Sequence, residues 1–150
     1  MAYFFRIMQN TDLIKELLNN NVNMILVGSY AANYYGYNVK SGSNDIDFII
    51  DSSSKNLHNI YDILKRYNAD LILEDLLKSY VIRSIIRETN EKIDMFRFSS
   101  KSPHINYDSL YEQNEYIIDY FYDITTKIIS QNKLKEMIKL SESIKYNNIL

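Results

Sequence analysis

Apolar residues fall into two alternating rhythms along this chain of 150 residues. From Asp12 to Leu18 they come at helical spacing. Ile14, Leu17 and Leu18 share a face, Thr11 can cap the start and Asn19-Asn20-Asn21 ends the run. Asn23 to Val27 is short and apolar, reads as a buried strand, and stops at Gly28-Ser29. Tyr30 to Tyr35, with Ala31-Ala32 inside it, predicts a short helix, and Gly36 with the polar run from Asn38 to Asn44 predicts a loop. Asp45 to Asp51 then alternates. A strand has period two, so Asp45 and Asp47 point one way while Ile46, Phe48 and Ile50 point the other. After Ser52-Ser53-Ser54, with Ser54 as cap, Leu57, Ile60, Tyr61 and Leu64 line one side of a helix from about Lys55 to Tyr67.

The second half is more broken. Leu71 to Leu77 fits either a strand or a short helix. Ser79 to Arg87 and Lys92 to Phe98, joined by a turn at Glu88 to Glu91, predict a hairpin with Asp94 near its middle. The polar stretch from Ser99 to Asn106 holds the only proline, Pro103, and reads as a mobile connector. Asp108 to Asn114 suits a helix, Tyr116 to Ser130 two short strands around Asp123, and Lys133 to Lys145 a closing amphipathic helix. No repeat is visible, and the length suits one domain.

Composition narrows the choices. With 46% hydrophobic residues the chain can build a core, so disorder over most of its length is not expected. A net charge of -2 and a pI of about 5.7 give no overall basic face, against avid non-specific nucleic-acid binding and mildly against a large RNA acceptor. The absence of cysteine excludes disulfides, thiolate metal sites and a cysteine nucleophile, and fits a reducing compartment. The N-terminus does not resemble a signal peptide and no run of about 18 apolar residues occurs, so neither export nor membrane spanning is expected and the cytoplasm is the expected location. The 14 tyrosines read as compositional bias, like the heavy use of Asn and Ile, with a base-stacking surface as the other reading.

The chemistry gathers at the acids. Asp45 and Asp47 on one side of an otherwise apolar strand repel each other unless a cation lies between them. Hard cations such as Mg²⁺ take oxygen ligands, often carboxylates together with substrate phosphates. The bland alternative is a solvated edge with Lys40 as counter-ion. Asp94, in the strand-like run Ile93-Asp94-Met95, can complete such a site or simply face solvent. Gly28 permits close backbone approach, and Ser29 at a helix start can bond a phosphate, although Gly-Ser alone is also an ordinary turn. Lys40, Arg83, Arg87 and Arg97 are candidates for a triphosphate, each weighed against being a solvated surface charge. His58 and His104 lack metal-ligand spacing, no Ser/His/Asp arrangement stands out, and Gly28-Ser29 is not part of a P-loop.

Taken together, Leu26-Val27-Gly28-Ser29-Tyr30-Ala31-Ala32, Tyr35-Gly36-Tyr37, Asn44-Asp45-Ile46-Asp47-Phe48-Ile49-Ile50 and Ile93-Asp94-Met95 resemble the nucleotidyltransferase superfamily with the DNA polymerase β-like fold. Its minimal MNT-type and AbiEii-like members are the most similar in character. The resemblance covers roughly residues 20 to 98 and implies an α+β (mixed α/β) domain: a mixed sheet flanked by helices, closed by a short C-terminal helix. It implies that Gly28, Ser29 and Lys40 hold an NTP, ATP foremost. Asp45 and Asp47 would bind two Mg²⁺ ions, replaceable by Mn²⁺, while Asp94 would bind one of them and help deprotonate the attacking hydroxyl. The implied reaction moves an NMP to a hydroxyl of a protein, a tRNA or a small molecule, within a toxin-antitoxin or defence system. A protein partner or a homo-oligomer could complete the acceptor site, because the chain has room for only one helix after the sheet. The spacer from Ser29 to Asp45 is long and polar for the family. The other reading is an inactive module of the same fold that binds nucleotide or a protein.

Overall fold

The computed structural model describes residues 10–39, 45–66, 72–86, 91–99 and 101–141, and these described residues form six helices and eight strands. The first half comprises α1 (Asn10–Asn19), β1 (Met24–Val27), α2 (Gly28–Tyr34), β2 (Asp45–Ile50), α3 (Ser54–Arg66) and α4 (Leu73–Lys78). The second comprises β3 (Val81–Ile86), β4 (Glu91–Phe96), β5 (Phe98–Ser99), β6 (Ser102–Asn106), α5 (Tyr107–Glu112), β7 (Tyr116–Phe121), β8 (Ile124–Ile129) and α6 (Gln131–Ser141). Lys40, Arg87, the ends of the helices expected to reach Tyr67 and Lys145, and most of the turn expected at Glu88 to Glu91 lie outside the described residues.

Six strands form one mixed sheet in the order β3-β4-β2-β1-β8-β7. β1 pairs antiparallel with β2 and parallel with β8, and β2 pairs parallel with β4. Register decides which residues share a face, since paired residues point the same way. Leu26 lies beside Phe48, Phe48 beside Met95, and Ile46 beside Ile93. All are fully or almost fully buried, in the same core that takes Leu13, Ile14 and Leu17 of α1 and Leu57, Ile60, Ile63 and Leu64 of α3. The opposite face carries Val27, Asp47, Ile49, Asp94 and Phe96. Burying four or more large aliphatic side chains on one side, at roughly 1.5–3 kcal/mol each, leaves no freedom for the register to slip. That register fixes where the acids stand.

Asn56 ties the layers together. Its side chain accepts from the Asn23 amide (2.9 Å) and donates to the carbonyls of Asn23 (3.2 Å) and Asp51 (2.8 Å), joining α3 to the ends of β1 and β2. Because Asn56 is buried, Asn56→Ala leaves main-chain groups without partners. Chemical denaturation should show a loss of about 2–3 kcal/mol. The start of α3 corrects one expectation. Ser53 rather than Ser54 is the cap, its Oγ accepting from the Asn56 amide at 3.3 Å, and Asp51 in turn accepts from the Ser53 amide at 3.0 Å.

Residues 73–78 settle as a helix because the carbonyls at the end of α4 have a partner: the Arg97 guanidinium donates to Leu76 (2.8 Å) and Leu77 (2.5 Å). The expected connector from Ser99 to Asn106 is instead the β5–β6 hairpin, with Ser102 and Ile105 buried and Ser102 Oγ donating to Ser99 Oγ at 2.9 Å. Pro103 is tolerated because it sits exposed on a two-stranded edge. The β7–β8 hairpin turns at Tyr122 and Asp123, both left-handed (φ 54° and 64°), as a two-residue turn between right-twisted strands requires.

Several tyrosines are packing residues. Tyr107 stacks on Tyr111 and Tyr111 on Tyr116, both at 5.7 Å between ring centres. Burial is the main cause that pushes the Tyr107 phenol up to about 12, with the Asp51 charge adding to it. A phenol whose folded value lies above its ordinary value of 10 stabilises the fold fully below pH 10 and loses that contribution as pH rises towards 12. Urea titrations across that window should therefore show stability falling, with a smaller fall in Tyr107→Phe. Among the described residues no helix is long and apolar enough to cross a membrane.

Candidate functional site

β2 and β4 are neighbours and parallel, so their acids fall into line. Asp47 is the register partner of Asp94, and Asp45 the partner of Lys92. Asp45 and Asp47 are two apart on β2 and share a face, and Asp94 joins them on that face from the next strand. Asp45, Asp47 and Asp94, expected to converge, therefore share one side of the sheet. Asp45 and Asp47 are partly exposed, whereas Asp94 is 5% exposed.

A further charge joins the group. Arg83 on β3 is the register partner of Asp94 and grips it with both arms of the guanidinium, Nε to Oδ1 at 2.7 Å and a terminal nitrogen to Oδ2 at 2.9 Å. Arg83 is held protonated more firmly than usual, first by these hydrogen bonds and the charge of Asp94, then by the fields of Asp45 and Asp47. Among the described residues no three acidic or histidine side chains are gathered closely enough to enclose a metal ion. The donor set nonetheless suits one: three hard oxygen donors on one face, with a cationic side chain already drawn to them.

Gly28 contributes space. It opens α2 at φ +69°, a left-handed conformation, and a Cβ there would lie 2.4 Å from Asp47 Oδ2 and 3.1 Å from Asp47 Cβ. The end of β1 thus presses against the Asp47 carboxylate, as the pairing of Val27 with Asp47 requires. Ser29 follows as a buried residue, 2% exposed, at the second position of α2. Lys40 is among the residues outside the description. Arg97 is committed elsewhere, its head turned to α4. His58 bonds within its own helix, to the Ser54 carbonyl at 2.8 Å, and His104 stands exposed on the surface, 3.5 Å from Glu136.

Beside these residues runs a cleft of about 150 Å³ that Gly28 and Asp47 share with Phe96, Phe98, Leu134 and Met137. Sequence reasoning saw α6 as amphipathic but could not say what it faces; it packs against α2 and β6 and lines one wall of this cleft. The Arg83–Asp94 pair was also missed: a turn at Glu88 to Glu91 sets residue 87 against 92 and Arg83 against Phe96, whereas the strands pair residue 86 with 91, which places Arg83 opposite Asp94.

The layered arrangement, a mixed sheet flanked by helices, matches a nucleotidyltransferase-like fold. The chain is similar to the crystal structure of a putative nucleotidyltransferase from Thermotoga maritima, with a TM-score of 0.56 over 97% of this chain and 94% of that one, at 13% sequence identity. No protein-family model and no curated protein matches the sequence.

Proposed function

We propose that the chain is a Mg²⁺-dependent nucleotidyltransferase that moves an NMP from an NTP to a hydroxyl acceptor. The observation that carries this reading is the alignment of Asp45, Asp47 and Asp94 on one face of β2 and β4, beside the Gly28 turn. Asp45 and Asp47 would hold the metal, with Asp94 sharing it. When bound, such ions neutralise charge on the reacting phosphate and on the pyrophosphate that leaves. This chain's own residues do the rest. Asp94 accepts the proton of the attacking hydroxyl, Gly28 lets the triphosphate approach the backbone, and the apolar cleft under α6 offers a wall for the base and sugar. ATP is the first NTP to test. The acceptor is a protein, a tRNA or a small molecule, and a partner chain would complete its site, as in a toxin-antitoxin pair of the MNT or AbiEii kind.

One observation favours a second reading. Both oxygens of Asp94 are already taken by Arg83, as they would be in an inactive module that binds nucleotide or a protein without turnover. Incubation with each of the four radiolabelled NTPs and Mg²⁺ in lysate separates the two. Label transferred to any acceptor supports the enzyme, whereas nucleotide binding by calorimetry with no labelled product supports the module.

A further inference from the structure

We propose that Arg83 is the resident cation of Asp94, and that it must release Asp94 before a divalent ion can bind there. This inference rests on the metal-binding reading of the three acids. The contact is a bidentate fork, the strongest geometry between a guanidinium and a carboxylate, and it occupies one edge of both Asp94 oxygens. The Asp94 side chain is only 7% exposed, so water has little part in balancing its charge. Arg83 does that instead, and the fields of Asp45 and Asp47 reach the same guanidinium. The Arg83 side chain is 54% exposed, so it can swing into solvent without unpacking the core. A buried carboxylate with a mobile partner is suited to exchange, because a divalent cation replaces one neutralising charge with another and frees the arginine. Arg83 then stands two strands from Asp47, across β4, on the face that an incoming triphosphate would approach.

The competing view makes Arg83 a permanent brace that orients Asp94 towards the metal. The two views predict opposite signs. If Arg83 competes, its removal tightens metal binding; if it braces, removal weakens it. The measurement is Mn²⁺ binding to the full chain without nucleotide, read by electron paramagnetic resonance of the free ion. It compares the parent chain with Arg83→Gln, Arg83→Lys and Asp47→Asn. Arg83→Gln should bind Mn²⁺ roughly tenfold more tightly, the value of one charged hydrogen bond expressed as an affinity. Arg83→Lys, which keeps the charge but loses the fork, should fall between Arg83→Gln and the parent, and it carries the test alone if Arg83→Gln does not fold. Equal or weaker binding in the Arg83 variants, with parent binding that Asp47→Asn abolishes, overturns the role of Arg83 and leaves the metal site standing. No Mn²⁺ binding by the parent or any variant overturns both.

Discussion

Asp47→Ala is expected to abolish Mg²⁺-dependent pyrophosphate release while the sheet stays intact. Asp47 is at the meeting point of the site: two residues from Asp45, in register with Asp94, and in contact with the Gly28 turn. Metal ligation supplies several kcal/mol of charge stabilisation in the transition state. At about 1.4 kcal/mol per factor of ten, loss of this carboxylate should cost at least about a hundredfold in rate. The fold should tolerate the change. The Asp47 side chain is partly exposed, its neighbours Ile46 and Phe48 anchor β2 from the other face, and removing one of three clustered negative charges relieves repulsion. The thermal midpoint should therefore hold or rise as activity disappears. Turnover at the parent rate would end the proposal that these acids do the chemistry.

Gly28→Ala should damage the same site from the backbone side. Two costs add. A non-glycine residue at φ +69° carries about 1–2 kcal/mol of strain. The new methyl group, 2.4 Å from Asp47 Oδ2, forces that carboxylate aside, and overpacking of this kind typically costs about 1–3 kcal/mol. Denaturation should show a loss of about 2–5 kcal/mol, with activity falling further than stability because the displaced group is the central acid. A double-mutant cycle checks the cause. In an Asp47→Ala background the carboxylate clash is gone and only the 3.1 Å approach to the residue 47 Cβ remains, so Gly28→Ala should cost little more than the strain, about 1–2 kcal/mol. Equal costs in the two backgrounds would show that Gly28 acts through main-chain conformation alone.

The parts of the chain that were legible are those where burial enforces a rhythm. β2 could be read because Ile46, Phe48 and Ile50 had to face the core, which sends Asp45 and Asp47 the other way. β3 and β4 could be read as a hairpin for the same reason, and α3 from its single apolar face. What could not be read was who neighbours whom. That β4 lies beside β2, in parallel and with Asp94 level with Asp47, is a tertiary fact; no local period encodes it. The β5–β6 hairpin was missed because its strands are too short to show alternation and because Pro103 argued for a loop. Gly28 was expected to make room for phosphate, and the structure shows that the space beside its Cα is pressed first by Asp47. Arg97 looked as eligible as Arg83 in sequence, and only the fold sends one to the end of α4 and the other to Asp94.

The parallel pairing of β2 with β4 also has a kinetic side. Antiparallel neighbours such as β3 and β4 can zip from a short turn, but β4 reaches β2 only after α3, α4 and β3 have been placed between them in the chain. Closing so long a loop is slow relative to forming a hairpin. A polypeptide emerging from the ribosome therefore carries Asp45 and Asp47 as an ordinary acidic strand, and the third acid arrives with its arginine already across from it on the same hairpin. The charge cluster is assembled with its neutralising partner built in, so the late docking of β4 never brings three bare carboxylates together.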